Sequence, residues 1–149
     1  MSIFTSMNTS ASALTAQRLR MDVVSSNIAN AQSTRAVLNE NGEYEPYRRK
    51  MVVMQSEGSN FKSMLQNASN TSGATGVKVS GIVEDEKPFK LVYNPDHPDA
   101  NEAGYVEMPN VDPLQEMVDM MSSTRSYEAN ITTLNASKSM LMKALEIGK

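Results

Sequence analysis

Apolar residues return every seven positions at both ends of the chain and lose that period in between. Near the N-terminus Met7, Leu14, Met21 and Ile28 form the series, with Ala11 and Val24 filling the alternate half-steps. A seven-residue repeat belongs to an amphipathic helix of coiled-coil type, and the pattern predicts one from about Ser2 to Ala31. Residues 1–41 contain neither Gly nor Pro, so no breaker interrupts it. The stripe is thin. Arg18 breaks it, and the Ser, Thr, Asn and Ala around it bury little, which leaves such a helix marginal in isolation. Two Asn flank Ile28-Ala29, and Asn is a mediocre helix former and a good cap, so the helix is expected to end near Asn30.

The C-terminal pattern starts with a mechanism. Asp112 is placed to accept from the orphan amides of a first turn, Pro113 suits the first helical position, and Gln115 sits where a capping box would close. From there Met120, Tyr127, Leu134 and Leu141 make one seven-residue series, and Met117, Ile131 and Leu145 make another. Thr124 and Lys138 are polar members of the second. Glu116 and Asp119 in the first turns and Lys143 near the end suit the helix dipole, and Gly148 is a plausible stop. Two stripes, one at each terminus, zip together most simply as an antiparallel or crossing pair. Both series, with Met7, Ala11, Leu14, Met21, Val24 and Ile28, are candidate subunit-interface positions.

Between the helices the period changes to two. Tyr47–Met54 reads as a strand, Val77, Val79 and Ile82 alternate around Gly81, and Phe89, Leu91 and Tyr93 alternate in a third strand. The polar stretch 55–76 reads as a flexible loop, and Asn94–Asp99 as turns leading to Gly104. The expected fold class is α+β: long N- and C-terminal helices packed as a coiled-coil-like pair, with a small central antiparallel β-rich unit. The divisions are 1–36, 37–111 and 112–149.

Composition narrows the function. A hydrophobic fraction of 40%, an aromatic fraction of 5% and no Trp are thin core material for 149 residues, and twelve Met residues suit helix interfaces that accept more than one neighbour. The formal charge of −3 gives no footprint for nucleic acid or an anionic membrane. Without Cys there is no disulfide framework, thiolate metal site or Cys nucleophile. No apolar run approaches the ~20 residues of a membrane span. The first residues lack a basic leader followed by an apolar stretch, so no cleaved secretory signal is expected.

Candidate chemistry is sparse. His97, the single histidine, lies between Asp96 and Asp99, but a proline-fixed surface turn explains this better than a metal ligand or general base. There is no GxSxG elbow, P-loop or dinucleotide fingerprint. Arg48-Arg49-Lys50, read as strand, sends Arg48 and Lys50 to one face to meet acidic groups. We expect no catalytic residue, metal or cofactor, and no enzyme activity.

Two longer motifs carry a resemblance. Ser12–Asp22 with Ser26-Asn27-Ile28-Ala29-Asn30-Ala31, and Arg125-Ser126-Tyr127-Glu128-Ala129-Asn130, are similar to the signatures of bacterial flagellar rod and hook proteins. Tyr47–Lys50, Gly81–Asp85, Leu91–Pro95 and Gly104–Val111 resemble the proximal rod components of that family, in the right order along nearly the whole chain. Ala13 and Ala36 depart from it, where relatives often have Gly or a small polar residue. The resemblance marks Asn27, Ile28, Ala29, Asn30, Arg125, Tyr127 and Asn130 as family-motif positions. It implies a structural subunit of the flagellar basal body whose terminal helices stack helically around an export channel. The β-rich middle would face outward, and the assembled rod would carry torque from motor to hook.

Partners would be further copies of the chain, other rod proteins, and the type III export apparatus that the family passes through without a cleaved signal. Phe61 and Leu65 resemble the short export-gate recognition element of rod and hook subunits, although a minor packing turn would look the same. From another functional class, an adapter docking one partner through its terminal helices remains an alternative: an adapter saturates, a rod subunit propagates.

Overall fold

A computed structural model describes residues 3–39, 42–57, 65 and 76–147. Helix α1 spans Ile3–Ala29 and helix α2 Pro113–Ile147. Between them run β1 (Val37–Leu38), β2 (Tyr44–Glu45), β3 (Lys50–Ser56), β4 (Val77–Glu84), β5 (Lys90–Tyr93) and β6 (Tyr105–Met108). The α+β layout read from the sequence is the observed one.

Both helix boundaries follow from local chemistry. The Asp112 carboxylate accepts from Leu114 N–H at 3.1 Å, and its carbonyl accepts the first helical bond from Glu116 N–H at 3.0 Å. Asp112 is therefore the N-cap, with Pro113 in the position that needs no donor. At the end of α1, Asn30 closes on Ser26, both its backbone N–H (3.1 Å) and its Nδ2 (2.9 Å) donating to the Ser26 carbonyl. Ser33 Oγ then donates to Asn30 Oδ1 at 3.2 Å, turning the chain away.

The strands form three two-stranded pairs, β1–β2, β3–β4 and β5–β6. Residues 47–49, expected in a strand, precede β3, because Tyr47 and Arg49 are held by polar contacts described below. The β1–β2 and β6 strands were not foreseen. β1–β2 pairs Val37 with Glu45 and Leu38 with Tyr44 around Gly42, whose φ of +80° favours glycine. β5–β6 runs antiparallel from Lys90 opposite Met108 to Tyr93 opposite Tyr105. At its turn Gly104 has φ +78°, and a Cβ there would lie 2.9 Å from the Tyr93 ring, so glycine is needed twice over.

The chain divides into two compact units. The first comprises residues 1–21, 52–81 and 121–149; the second comprises 22–51 and 82–120. Each draws on both helices and on the segment between them. In the first, α1 and α2 run antiparallel: Ser6 Oγ lies 3.5 Å from Ser137 Oγ, and Thr124 Oγ1 donates to Met21 Sδ at 3.5 Å. Its buried positions are mainly small, namely Ser10, Ala16, Ser123 and Ser137. The second unit holds the remaining buried apolar side chains among the described residues, Val23, Val24, Tyr47, Val106 and Val111, with Pro46 and Pro109. No helix among the described residues is long and apolar enough to cross a membrane.

Candidate functional site

Along α2 the most buried row is polar or small: Glu116, Ser123 and Ser137, with half-buried Asn130 between. Serine side chains let helices approach closely but remove little apolar area from water. The two apolar series flank this row and fare differently. Met120, Tyr127, Leu134 and Leu141 are half-buried, whereas Met117, Ile131 and Leu145 are exposed. Leu145 is 74% exposed, and Leu114, Val118, Met121, Met140 and Met142 are also open to solvent. On α1, Val24 is buried, Met7, Leu14, Met21 and Ile28 are half-buried, and Ala11 is exposed. The single chain thus leaves much of its helical apolar surface uncovered, on more than one face of α2.

The second unit contains a polar node that the sequence did not reveal. Asn27, on α1, is fully buried, and its amide uses every bond it has. Nδ2 donates to the Lys50 carbonyl and to Glu116 Oε2, both at 2.9 Å. Oδ1 accepts from Lys50 N–H at 2.9 Å and from the Tyr47 hydroxyl at 3.0 Å. Glu116, also fully buried, receives Arg49 Nε on its other oxygen at 2.6 Å. The Arg49 guanidinium further lies 3.6 Å from Asp85 and 3.5 Å from Asp119. Burial pulls the Arg49 pKa down, but the Glu116 hydrogen bond and the three carboxylates outweigh it and leave it raised, so this cation persists. Asn110 completes the node, accepting from Arg49 N–H at 2.8 Å and donating to the carbonyls of Asp85 (3.1 Å) and Lys87 (3.0 Å).

This node corrects the reading of the basic cluster. Arg49, not Arg48 and Lys50, meets the acidic groups. Arg48 lies over the Phe89 ring at 4.4 Å and Lys50 over the Tyr47 ring at 5.6 Å. The segment is not yet strand at Arg48 and Arg49, so alternation does not govern them. Glu116 likewise serves Arg49 and Asn27 more directly than the helix dipole. A signal was available: Asn27 falls three residues after buried Val24, on the inward face of a helix, where an Asn must find partners.

The other marked positions are dispersed. Ile28 and Asn30 are half-buried and Ala29 exposed; on α2, Arg125 is exposed, Tyr127 half-buried, and Asn130 Nδ2 donates to the Ser126 carbonyl at 2.8 Å. His97 Nδ1 accepts from Asp99 N–H at 3.1 Å, which organises a turn. Asp99 itself accepts from Arg35 Nε at 2.6 Å and Thr34 Oγ1 at 2.8 Å, and these bonds hold its pKa below the ordinary carboxylate value. Leu65 is 59% exposed, while Phe61 and most of the 55–76 loop lie outside the described residues.

Residues 7–36 match the family described as "Flagella basal body rod protein", and residues 102–147 match "Flagellar basal body rod FlgEFG protein C-terminal". A flagellar basal-body rod protein FlgC of Bacillus subtilis is 64% identical over 151 residues, covering 100% of both chains. The FlgC of Borreliella burgdorferi is 43% identical, covering 99% of this chain and 98% of its own. That of Salmonella typhimurium is 46% identical, covering 93% of this chain and 92% of its own.

Proposed function

The chain belongs to the FlgC family of bacterial flagellar basal-body rod proteins and is a structural rod subunit, and from this we propose that it polymerises through its terminal helices. The helices would form the inner part of the rod, stacking helically around an export channel, with segment 37–111 facing outward. The observation that carries the reading is the uncovered apolar surface of α2, above all Met117, Ile131 and Leu145. Covering a Leu, Ile or Met side chain is worth about 1.5–3 kcal/mol, part of which association itself consumes. Many shared helix contacts of this size suit a shaft that transmits torque, because no single bond carries the load. A role without catalysis, with other rod proteins as neighbours, is part of the same proposal.

Delivery by the flagellar type III export apparatus is proposed from the family, with Phe61 and Leu65 as its recognition element. Replacing both should block secretion while the chain stays soluble in the cell, and normal secretion would remove them from that role. Assembly is tested by Ile131→Asp in a strain lacking the wild-type gene. The charge would enter an intended interface, and we expect normal synthesis, no incorporation into basal bodies and loss of motility. Full motility would mean that this face of α2 stays uncovered in the rod.

A further inference from the structure

Two uncovered surfaces of the chain complement one another. On α2, Leu114, Met117, Val118 and Met121 recur at helical spacing and are all exposed, so they form one row on one face of the helix. Arg125, one turn further along the same row, is exposed and has no ion-pair partner among the described residues. The row is therefore apolar, with a cation at its C-terminal end.

The other surface lies within the second unit. Val106 is buried, so its strand neighbours Tyr105 and Glu107 point away from the core, as do Tyr93 and Leu91 opposite them in the β5–β6 register. All four are exposed, and the Tyr93 and Tyr105 rings meet edge to face at 5.3 Å. Tyr105 and Glu107 also line a cavity of 560 Å³, together with Arg35, Glu43, Tyr44 and Asp99. Arg35 is tied to Asp99 and lies 5.7 Å from the centre of the Tyr44 ring, so the cavity already holds one guanidinium against an aromatic face. It keeps two exposed carboxylates, Glu43 and Glu107, without an ion-pair partner among the described residues.

We propose that the α2 row of one copy docks on the β5–β6 face of another copy, with Arg125 entering the cavity beside Glu107. This rests on the rod-subunit reading and names the surface that covers this part of α2. Charge and polarity choose the pairing. The outward row of α1, Ala11, Thr15, Arg18, Asp22 and Ser25, is small or polar and gives the apolar row no counterpart. A second α2 row laid parallel sets Arg125 on Arg125. Laid antiparallel, it sets Arg125 on Leu114 and desolvates a guanidinium with no carboxylate to receive it. The β5–β6 face supplies both halves: Leu91 and Tyr93 for the apolar row, and a carboxylate beside an aromatic ring for the guanidinium. The contact needs one helix of one copy and one face of the other, and is the same whether it is reciprocated or propagates.

So few side chains bury less than the ~1,200 Å² of a stable pair, so the test is made in basal bodies, where many such contacts act together. The chain has no cysteine. Two differently tagged chains, one with Arg125→Cys and one with Glu107→Cys, are produced together in a strain lacking the wild-type gene. A short bis-maleimide, which bridges separations too long for a disulfide, should join them into a heterodimer carrying both tags. Arg18→Cys in place of Arg125→Cys should give none. If these chains are not incorporated, Met121→Cys with Leu91→Cys replaces them. As a second measurement, Arg125→Glu and Glu107→Arg should each lower the amount of chain in basal bodies at least ~3-fold, and both on one chain should restore it to within ~2-fold of wild type.

Incorporated chains that give no heterodimer, linkage through Arg18→Cys as strong as through Arg125→Cys, or a reversed pair no better than its single members would each overturn the proposal. So would Glu107→Cys shielded from a monofunctional maleimide yet never joined to Arg125→Cys, which would give the face to a different protein. The rod-subunit reading fails by another result: a tagged wild-type chain absent from basal bodies.

Discussion

Replacing Asn27 is the sharpest test of what holds the second unit together. Asn27→Ala removes four hydrogen bonds at once and leaves the Lys50 N–H, the Lys50 carbonyl and one oxygen of Glu116 short of a partner. The Tyr47 hydroxyl keeps a neighbour in Ser26 Oγ at 3.3 Å, and Glu116 keeps Arg49, so the loss is less than four full bonds. At about 1 kcal/mol net per bond, with extra cost for groups left unpaired, the expected destabilisation is about 3 kcal/mol. Asn27→Asp separates chemistry from shape. It keeps the oxygen that accepts from Lys50 and Tyr47, but sets a second acceptor against the Lys50 carbonyl and the Glu116 carboxylate. It should therefore cost at least as much as the alanine. Urea titration followed by circular dichroism reads the stability, and amide exchange at Lys50 reads the bond itself. An alanine loss below about 1 kcal/mol, or an aspartate variant as stable as wild type, would refute the reasoning.

Other outcomes follow from the same contacts. Arg49→Met should cost about 3–5 kcal/mol in the same titration, because it strands buried Glu116 without its cation. Arg49→Lys should recover only part of that, since a point charge lacks the fork that reaches Glu116, Asp85 and Asp119 together. The Asp99 carboxyl has its pKa lowered by the bonds from Arg35 and Thr34, so what it contributes is present above the ordinary carboxylate value of 3.8 and is lost as pH falls through its lower folded value. In an acid titration followed by NMR, the Thr34–Arg35 signals should move below that pH in wild type and stay constant in Asp99→Asn. Gly104→Ala should loosen β5–β6 by about 1–2 kcal/mol, from positive φ together with the clash on Tyr93, measured by exchange of the Tyr93 and Tyr105 amides.

The helices were legible because their signals are local. Asp112-Pro113 announces a helix start within two residues, and an uninterrupted run without Gly or Pro carries α1 to Ala29. Alternation found β4 and β5 for the same reason. What remained hidden depends on residues far apart in sequence. β6 is defined by its pairing with β5, and β1–β2 by two residues a side around Gly42, too short for any period. The apolar series were visible, but not that a row of Glu116, Ser123 and Ser137 would take the most buried positions on α2. The role of Asn27 was least accessible, since its partners lie on two distant segments, residues 47–50 and the start of α2.

The Asn27–Glu116 bond spans 89 residues of sequence, and the Ser6–Ser137 approach spans 131. Each such contact must wait until its second partner has been made. The first unit lacks residues 121–149 and the second lacks 82–120 until synthesis is far advanced, so neither can complete itself from the N-terminal end. A newly made chain therefore cannot complete either unit until at least part of α2 has been made. Its architecture is a clock as well as a shape, because both units draw on α2 for completion.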